Sequence, residues 1–149
     1  MQPQEGDAPG LVALRHAVQA FIDNVQIAAR MPGEQMWRDA GWQPMHWECH
    51  SEADARNLLA ESKAGVLITG SSDVDEPADR TLWPVAREIG VETHVMIDHP
   101  ANLGRRFSGR DGEQLLPDWI YAPDDVFAQR LVAAGLPQER IRIVGDLHH

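Results

Sequence analysis

The stretch Val66-Leu67-Ile68-Thr69-Gly70-Ser71-Ser72, followed by Leu82-Trp83-Pro84-Val85-Ala86-Arg87-Glu88-Ile89-Gly90 and Val91-Glu92-Thr93-His94-Val95-Met96-Ile97-Asp98, decides the fold. Val66 to Ile68 is a continuous apolar run that ends in Thr69 and Gly70, the pattern of a strand in a parallel sheet. Leu82, Val85, Ala86 and Ile89 recur at helical spacing, and Gly90 is a stop signal. Val91 to Ile97 reads as a second strand. This is one βαβ unit, with polar residues collected just after each strand: Ser71 and Ser72 after the first, Asp98 and His99 after the second. Ligands of open α/β sheets bind at the carboxyl ends of strands, so a site is expected at this edge. Thr81 is expected to cap the helix, which puts Pro84 in its first turn, where proline costs little.

Outward from this unit the alternation continues. Residues 1–10 read as a flexible start. Leu11, Leu14, Val18, Phe21, Ile22, Val25 and Ala29 predict an amphipathic helix over about 11–30, closed near Pro32-Gly33. Glu34 to Ala40 suits a short helix ending at Gly41. Gln43 to Cys49 reads as a strand with Met45, Trp47 and Cys49 on one face, and Ser51 to Asp54 resembles a capping box opening a helix. Residues 99–117 form a long irregular connection. Trp119 to Ala122 is a strand, Asp124 to Ala134 a helix stopped by Gly135 and Pro137, and Ile141 to Val144 a last strand. Five strands alternating with helices predict an α/β fold: a Rossmann-like three-layer sandwich with a parallel sheet of about five strands, in a single domain over 11–149.

Composition narrows the function. The 149 residues carry a net charge of -10 and gather no Lys/Arg stripe, which argues against a nucleic-acid surface. The densest basic cluster, Arg105, Arg106 and Arg110, suits a small anion held in bidentate fashion. The single cysteine, Cys49, excludes an internal disulfide framework and suits a reducing cytoplasm. No apolar stretch approaches the ~20 residues of a membrane span, and the polar, acidic first ten residues do not read as a signal peptide.

Taken in order, Thr69-Gly70-Ser71-Ser72, Leu82-Trp83 with Ala86-Arg87 and Gly90, Asp98, Asn102, Arg106-Phe107, Leu116-Pro117-Asp118, Gly135-Leu136-Pro137 and Ile143-Val144-Gly145 resemble the N-terminal Rossmann-like domain of GT-B glycosyltransferases and the related UDP-N-acetylglucosamine 2-epimerases. The resemblance covers about residues 41–149. It implies half of a sugar-nucleotide active site, in which this domain shapes the acceptor side and a second Rossmann-like domain or subunit completes the cleft. It also implies a polar contact from His148 near the hinge. Two departures stand out. A first strand precedes the glycine-rich turn in the family, whereas Met1 to Glu5 is short and polar, and the family's second domain is not within this stretch.

The candidate residues follow. Gly70, Ser71 and Ser72 can offer N–H groups and hydroxyls to a phosphate or a sugar, or simply make a tight βα turn. No G-x-G-x-x-G and no Walker lysine are present, so no cofactor is expected. Asp98 and His99 can act as base and orienter, with Asn102, Arg105 and Arg106 as ligand contacts; alternatively Asp98 pairs with Arg106 to hold the loop. His46, Glu48 and His50 alternate on the 43–49 strand, a spacing that suits a metal or a solvated face; no metal is assigned. Trp37, Trp42 and Trp47 form either an exposed patch or ordinary core. The partners expected are the second domain or subunit, or a second copy, together with a small sugar or nucleotide-sugar ligand. Besides the half-transferase, a non-catalytic binding or assembly module and a small homodimeric enzyme are the alternatives.

Overall fold

A computed structural model of the chain describes residues 25–72, 78–97 and 99–145. The elements run β1 (Ala28–Ala29), α1 (Gly33–Asp39), β2 (Met45–His46), α2 (Glu52–Ser62), β3 (Val66–Thr69), α3 (Ala78–Glu88), β4 (Glu92–Met96), α4 (Leu103–Arg106), β5 (Trp119–Ala122), α5 (Asp125–Ala133), a 3-10 turn (Gln138–Arg140) and β6 (Ile141–Ile143). All strand pairs are parallel. The main sheet has the order β3-β4-β5-β6, and β1 and β2 form a second, two-stranded sheet. The α/β, Rossmann-like expectation is met, with four strands in the main sheet rather than about five. The fifth expected strand, in 43–49, is reduced to Met45–His46 and pairs with β1.

Helix ends follow local chemistry. Ser51 Oγ accepts the Asp54 N–H at 3.3 Å, and an Asp54 carboxylate oxygen accepts the His50 N–H at 2.8 Å, so the expected capping box forms one residue out of register on its return bond. Asp124 caps α5 through Phe127 N–H at 2.7 Å. Gly90 and Gly135 follow α3 and α5 at φ of 79° and 93°, the left-handed geometry that stops a helix. Where no glycine was on offer, Lys63 closes α2 at φ 52°.

Each crossover between neighbouring parallel strands is right-handed by the usual rule, so a sheet in sequential order carries its crossovers on one face. The core matches. Trp83, Val95, Ile97, Leu103, Phe107, Ile120, Ala122, Phe127, Leu131, Leu136 and Ile141 form one cluster between α3, α4, α5 and the sheet. Ala55, Leu58 and Leu59 of α2 meet Leu82, Val85, Ala86 and Val91 in a second, against which Ala28 of β1 and Leu67 of β3 pack. Trp83 is buried, stacked on Phe107 at 5.5 Å, and its Nε1–H donates to Thr69 Oγ1 at 3.0 Å.

Three expectations need correction. The helix placed over 11–30 does not extend past residue 24, because 25–27 are non-helical and Ala28–Ala29 is a strand; residues 1–24 lie outside the described part. α3 begins at least as early as Ala78, so Pro84 sits inside it and Thr81 does not cap it. Burial of Leu82, Trp83, Val85 and Ala86 on both sides of the proline offsets its cost. The 99–117 connection is partly ordered, containing α4 and an antiparallel bridge between Ser108 and Gln114. Of the two readings of Trp37, Trp42 and Trp47, core packing holds for Trp37, which is 3% exposed and meets the half-buried Trp42 edge-on at 6.0 Å. Among the described residues no helix is long and apolar enough to cross a membrane.

Candidate functional site

β3 and β4 are adjacent and parallel, with Thr69 opposite Val95, so the segments that leave their carboxyl ends lie side by side. Gly70, Ser71 and Ser72 leave β3; His99, Asn102, Arg105 and Arg106 follow β4. Asp98 and His148 lie outside the described residues. One side chain binds the two segments together. Arg106 is 7% exposed, and its Nη1 donates to the Ser71 carbonyl at 2.7 Å and to Ser71 Oγ at 3.1 Å, while Nε donates to the Ala101 carbonyl at 2.9 Å. A guanidinium holding main-chain carbonyls in this way is a strut. Of the two readings of Arg106, these bonds match the one in which it holds the loop, here through main-chain carbonyls.

Arg105 is exposed, and its carbonyl accepts from Arg80 Nη1 at 2.8 Å; the same Nη1 reaches the Ser108 carbonyl at 2.6 Å. The loop after β4 is therefore tied to β3 through Arg106 and to α3 through Arg80. Asn102 takes φ 56° and precedes α4, the left-handed geometry that asparagine tolerates best among residues with a side chain. His99 is exposed, and its Nδ1 accepts the Ala101 N–H at 3.1 Å, which leaves Nε2 to carry the ring proton.

Ser72 is engaged as well. Its N–H and Oγ–H donate to the two carboxylate oxygens of Asp79, at 2.9 and 3.0 Å. Burial raises the Asp79 pKa above the ordinary carboxylate value, with the Ser72 hydrogen bonds opposing that shift. The sequence reading missed Asp79. Its available signal was an acidic residue shortly after Gly70-Ser71-Ser72, at the start of the α3 pattern. The edge therefore presents an exposed imidazole, the Asn102 amide and the Ser71–Ser72 turn on a rigid base. It can hydrogen-bond a hydroxylated ligand, with the His99 Nε2–H as one donor.

The His46, Glu48 and His50 alternation does not form a common site. His46 Nδ1 lies 2.6 Å from Glu34 Oε2, and His50 Nε2 lies 3.1 Å from Glu48 Oε2. Glu34 is buried and also holds Arg38, one turn along α1. Among the described residues no three His, Cys, Asp or Glu side chains converge as a metal site. An open cavity of about 590 Å³ lies at the other edge of the sheet, lined by Arg87, Glu92, Asp118, Trp119 and Arg140 among others. Its polar groups already serve the fold: Asp118 binds Thr93 N–H and Oγ, at 2.9 and 3.1 Å, and Arg140 Nη1 donates to the Pro117 carbonyl at 3.1 Å. Comparison with protein-family models, curated proteins and solved structures finds no match for this chain.

Proposed function

We propose that the chain supplies the acceptor side of a GT-B-like sugar or related group transferase, at the carboxyl edge of β3 and β4, and that a second Rossmann-like domain or subunit completes the cleft. The observation that carries this reading is the joining of the Ser71–Ser72 turn to the 99–107 segment by Arg106, which gives one fixed edge where open α/β sheets bind ligands. In this reading Gly70, Ser71, Ser72, Asn102 and Arg105 contact the acceptor, Arg106 positions them, and His148 contributes at the hinge. Asp98, or His99 once its Nδ1 gives up the Ala101 N–H, takes the proton of the attacking hydroxyl while the nucleoside diphosphate leaves the anomeric carbon. The lone thiol suits a cytoplasmic setting.

The test is affinity purification of the chain from its native extract, followed by transfer assays on the purified complex with a panel of nucleotide sugars. A co-purifying Rossmann-like partner, with turnover lost in His99→Ala or Asp98→Ala, is the expected result. Unchanged turnover in both variants overturns the assignment of the base. A chain that comes down alone overturns the split enzyme. A second reading, a non-catalytic binding or assembly module, is favoured by the engagement of Arg106 and Asp79 inside the fold. It predicts a stable homodimer that binds no nucleotide sugar.

A further inference from the structure

The open cavity of about 590 Å³ lies where β4 and β5 begin, at the opposite end of the strands from the Ser71–Asn102 edge. The groups that serve the fold there do so with only part of their capacity. Arg87, in the last turn of α3, donates Nη2 to the Leu116 carbonyl at 3.3 Å. Arg140, at the end of the 3-10 turn, donates Nη1 to the next carbonyl along, that of the buried Pro117, at 3.1 Å. Carbonyls of consecutive residues thus draw two guanidinium groups onto one short stretch of chain, where both line the same cavity. Among the described residues no carboxylate comes within ion-pairing distance of either, and each keeps further N–H donors that no group there takes. Two like charges held near one another without a counter-ion repel, and an oxyanion that reaches both forks removes the repulsion while filling the donors.

We propose that this cavity binds a phosphorylated sugar, with the phosphate on Arg87 and Arg140. The rest of the lining selects what the phosphate is attached to. Asp118 gives Oδ2 to Thr93, and its Oδ1 is not engaged among the described residues; nor is the Glu139 carboxylate. Carboxylates only accept hydrogen bonds, so the group that faces them is a donor, and a polyhydroxylated ring offers several. The third carboxylate in the lining, Glu92, is already held by His94 Nε2 at 2.6 Å. Trp119 supplies an aromatic wall, half-buried, with the Arg142 guanidinium 4.4 Å from its ring centre. Such a wall suits the C–H groups of a sugar ring. The volume exceeds what a bare phosphate fills and falls in the ordinary range for small-molecule sites. The site is separate from the β3–β4 edge and does not rest on the transferase reading.

Titration of the isotope-labelled full-length chain, followed through its amide resonances, tests this with three separate probes: glucose 6-phosphate, inorganic phosphate and glucose. Glucose 6-phosphate is expected to give saturable shifts at Gly90, Val91, Glu92 and Asp118 with a dissociation constant of about 1 mM or below, and phosphate or glucose alone to bind about tenfold more weakly or worse. Arg87→Gln, at an exposed position, should weaken glucose 6-phosphate about tenfold, the loss of one charge-assisted contact. Arg140→Lys repeats the measurement at the second cation if Arg87→Gln does not fold. Absence of saturable shifts at these amides overturns the proposal. Inorganic phosphate binding as tightly as the ester overturns the sugar, and glucose binding as tightly overturns the arginine pair. Unchanged affinity in the arginine variant overturns the placement of the phosphate.

Discussion

Arg106 Nη1 donates to the main-chain carbonyl of Ser71 at 2.7 Å, joining the segments that follow two neighbouring strands. Three hydrogen bonds from one buried cation make this contact structural first. We expect Arg106→Met to lower unfolding free energy by about 2–4 kcal/mol, since hydrogen bonds from a charged donor contribute ~1.5–3 kcal/mol and this buried guanidinium makes several. Arg106→Lys should recover little of this, because an ammonium cannot reproduce the fork. Denaturant melts of the two variants check it, and wild-type stability in Arg106→Met would refute the strut.

Asp79 gives a pH signature. Its pKa is raised on folding by burial. The folded state therefore holds the proton more tightly than the unfolded one, and stability falls as pH rises from about 3.9, the free value, through the folded value. Asp79→Asn should remove this slope while keeping an acceptor for Ser72. Stability measured in steps across pH 3.5–6.5 decides, and parallel curves for the two proteins would count against it.

His46 titrates in the same sense, in a higher pH range. The hydrogen bond to Glu34, then its charge, raises the His46 pKa. The contribution of this pair is fully present below about pH 6.5 and is lost as pH climbs through the folded value. In His46→Gln that part of the alkaline loss should vanish, which melts at pH 5.5 and 8.5 would reveal.

Backbone positions give a matched pair. Gly90 holds φ 79° and Lys63 φ 52°. Gly90→Ala should cost about 1 kcal/mol, and Lys63→Gly should gain roughly half that or more, since only glycine adopts this region without a steric penalty. Thermal midpoints moving the same way in both variants would contradict the assignment.

Pro84 can be improved upon. It lies inside α3 with no N–H to give back along the helix. Pro84→Ala should raise stability by about 1 kcal/mol or more, a fraction of the ~3 kcal/mol host–guest difference. A loss on substitution would mean that ring packing outweighs the missing hydrogen bond.

The legible parts of the fold were those with local punctuation. Trp119–Ala122 matches its expected limits, and α5 falls between its Asp124 cap and Gly135, because these signals act within a few residues. The misread parts depend on distant partners. Ala28 and Ala29 continue a helical stripe in sequence and become a strand because Met45 and His46 pair with them. The candidate edge was legible from the position of Ser71 and Asn102 after apolar runs. The role of Arg106 stayed open between two readings, since a surface clamp and a buried strut have the same spacing and differ only in which carbonyls lie within reach.

The order β3-β4-β5-β6 also bears on how the protein is made. Each strand of this sheet hydrogen-bonds to the next one along the chain, and none waits for a later segment to slot in between. Such pairings close comparatively short loops, which favours fast folding for a parallel sheet. During synthesis β4 can dock on β3 as soon as it leaves the ribosome, and β5 and β6 can then be added in turn. The sheet thus grows from one end, with each new strand sealing the edge that the previous one left open.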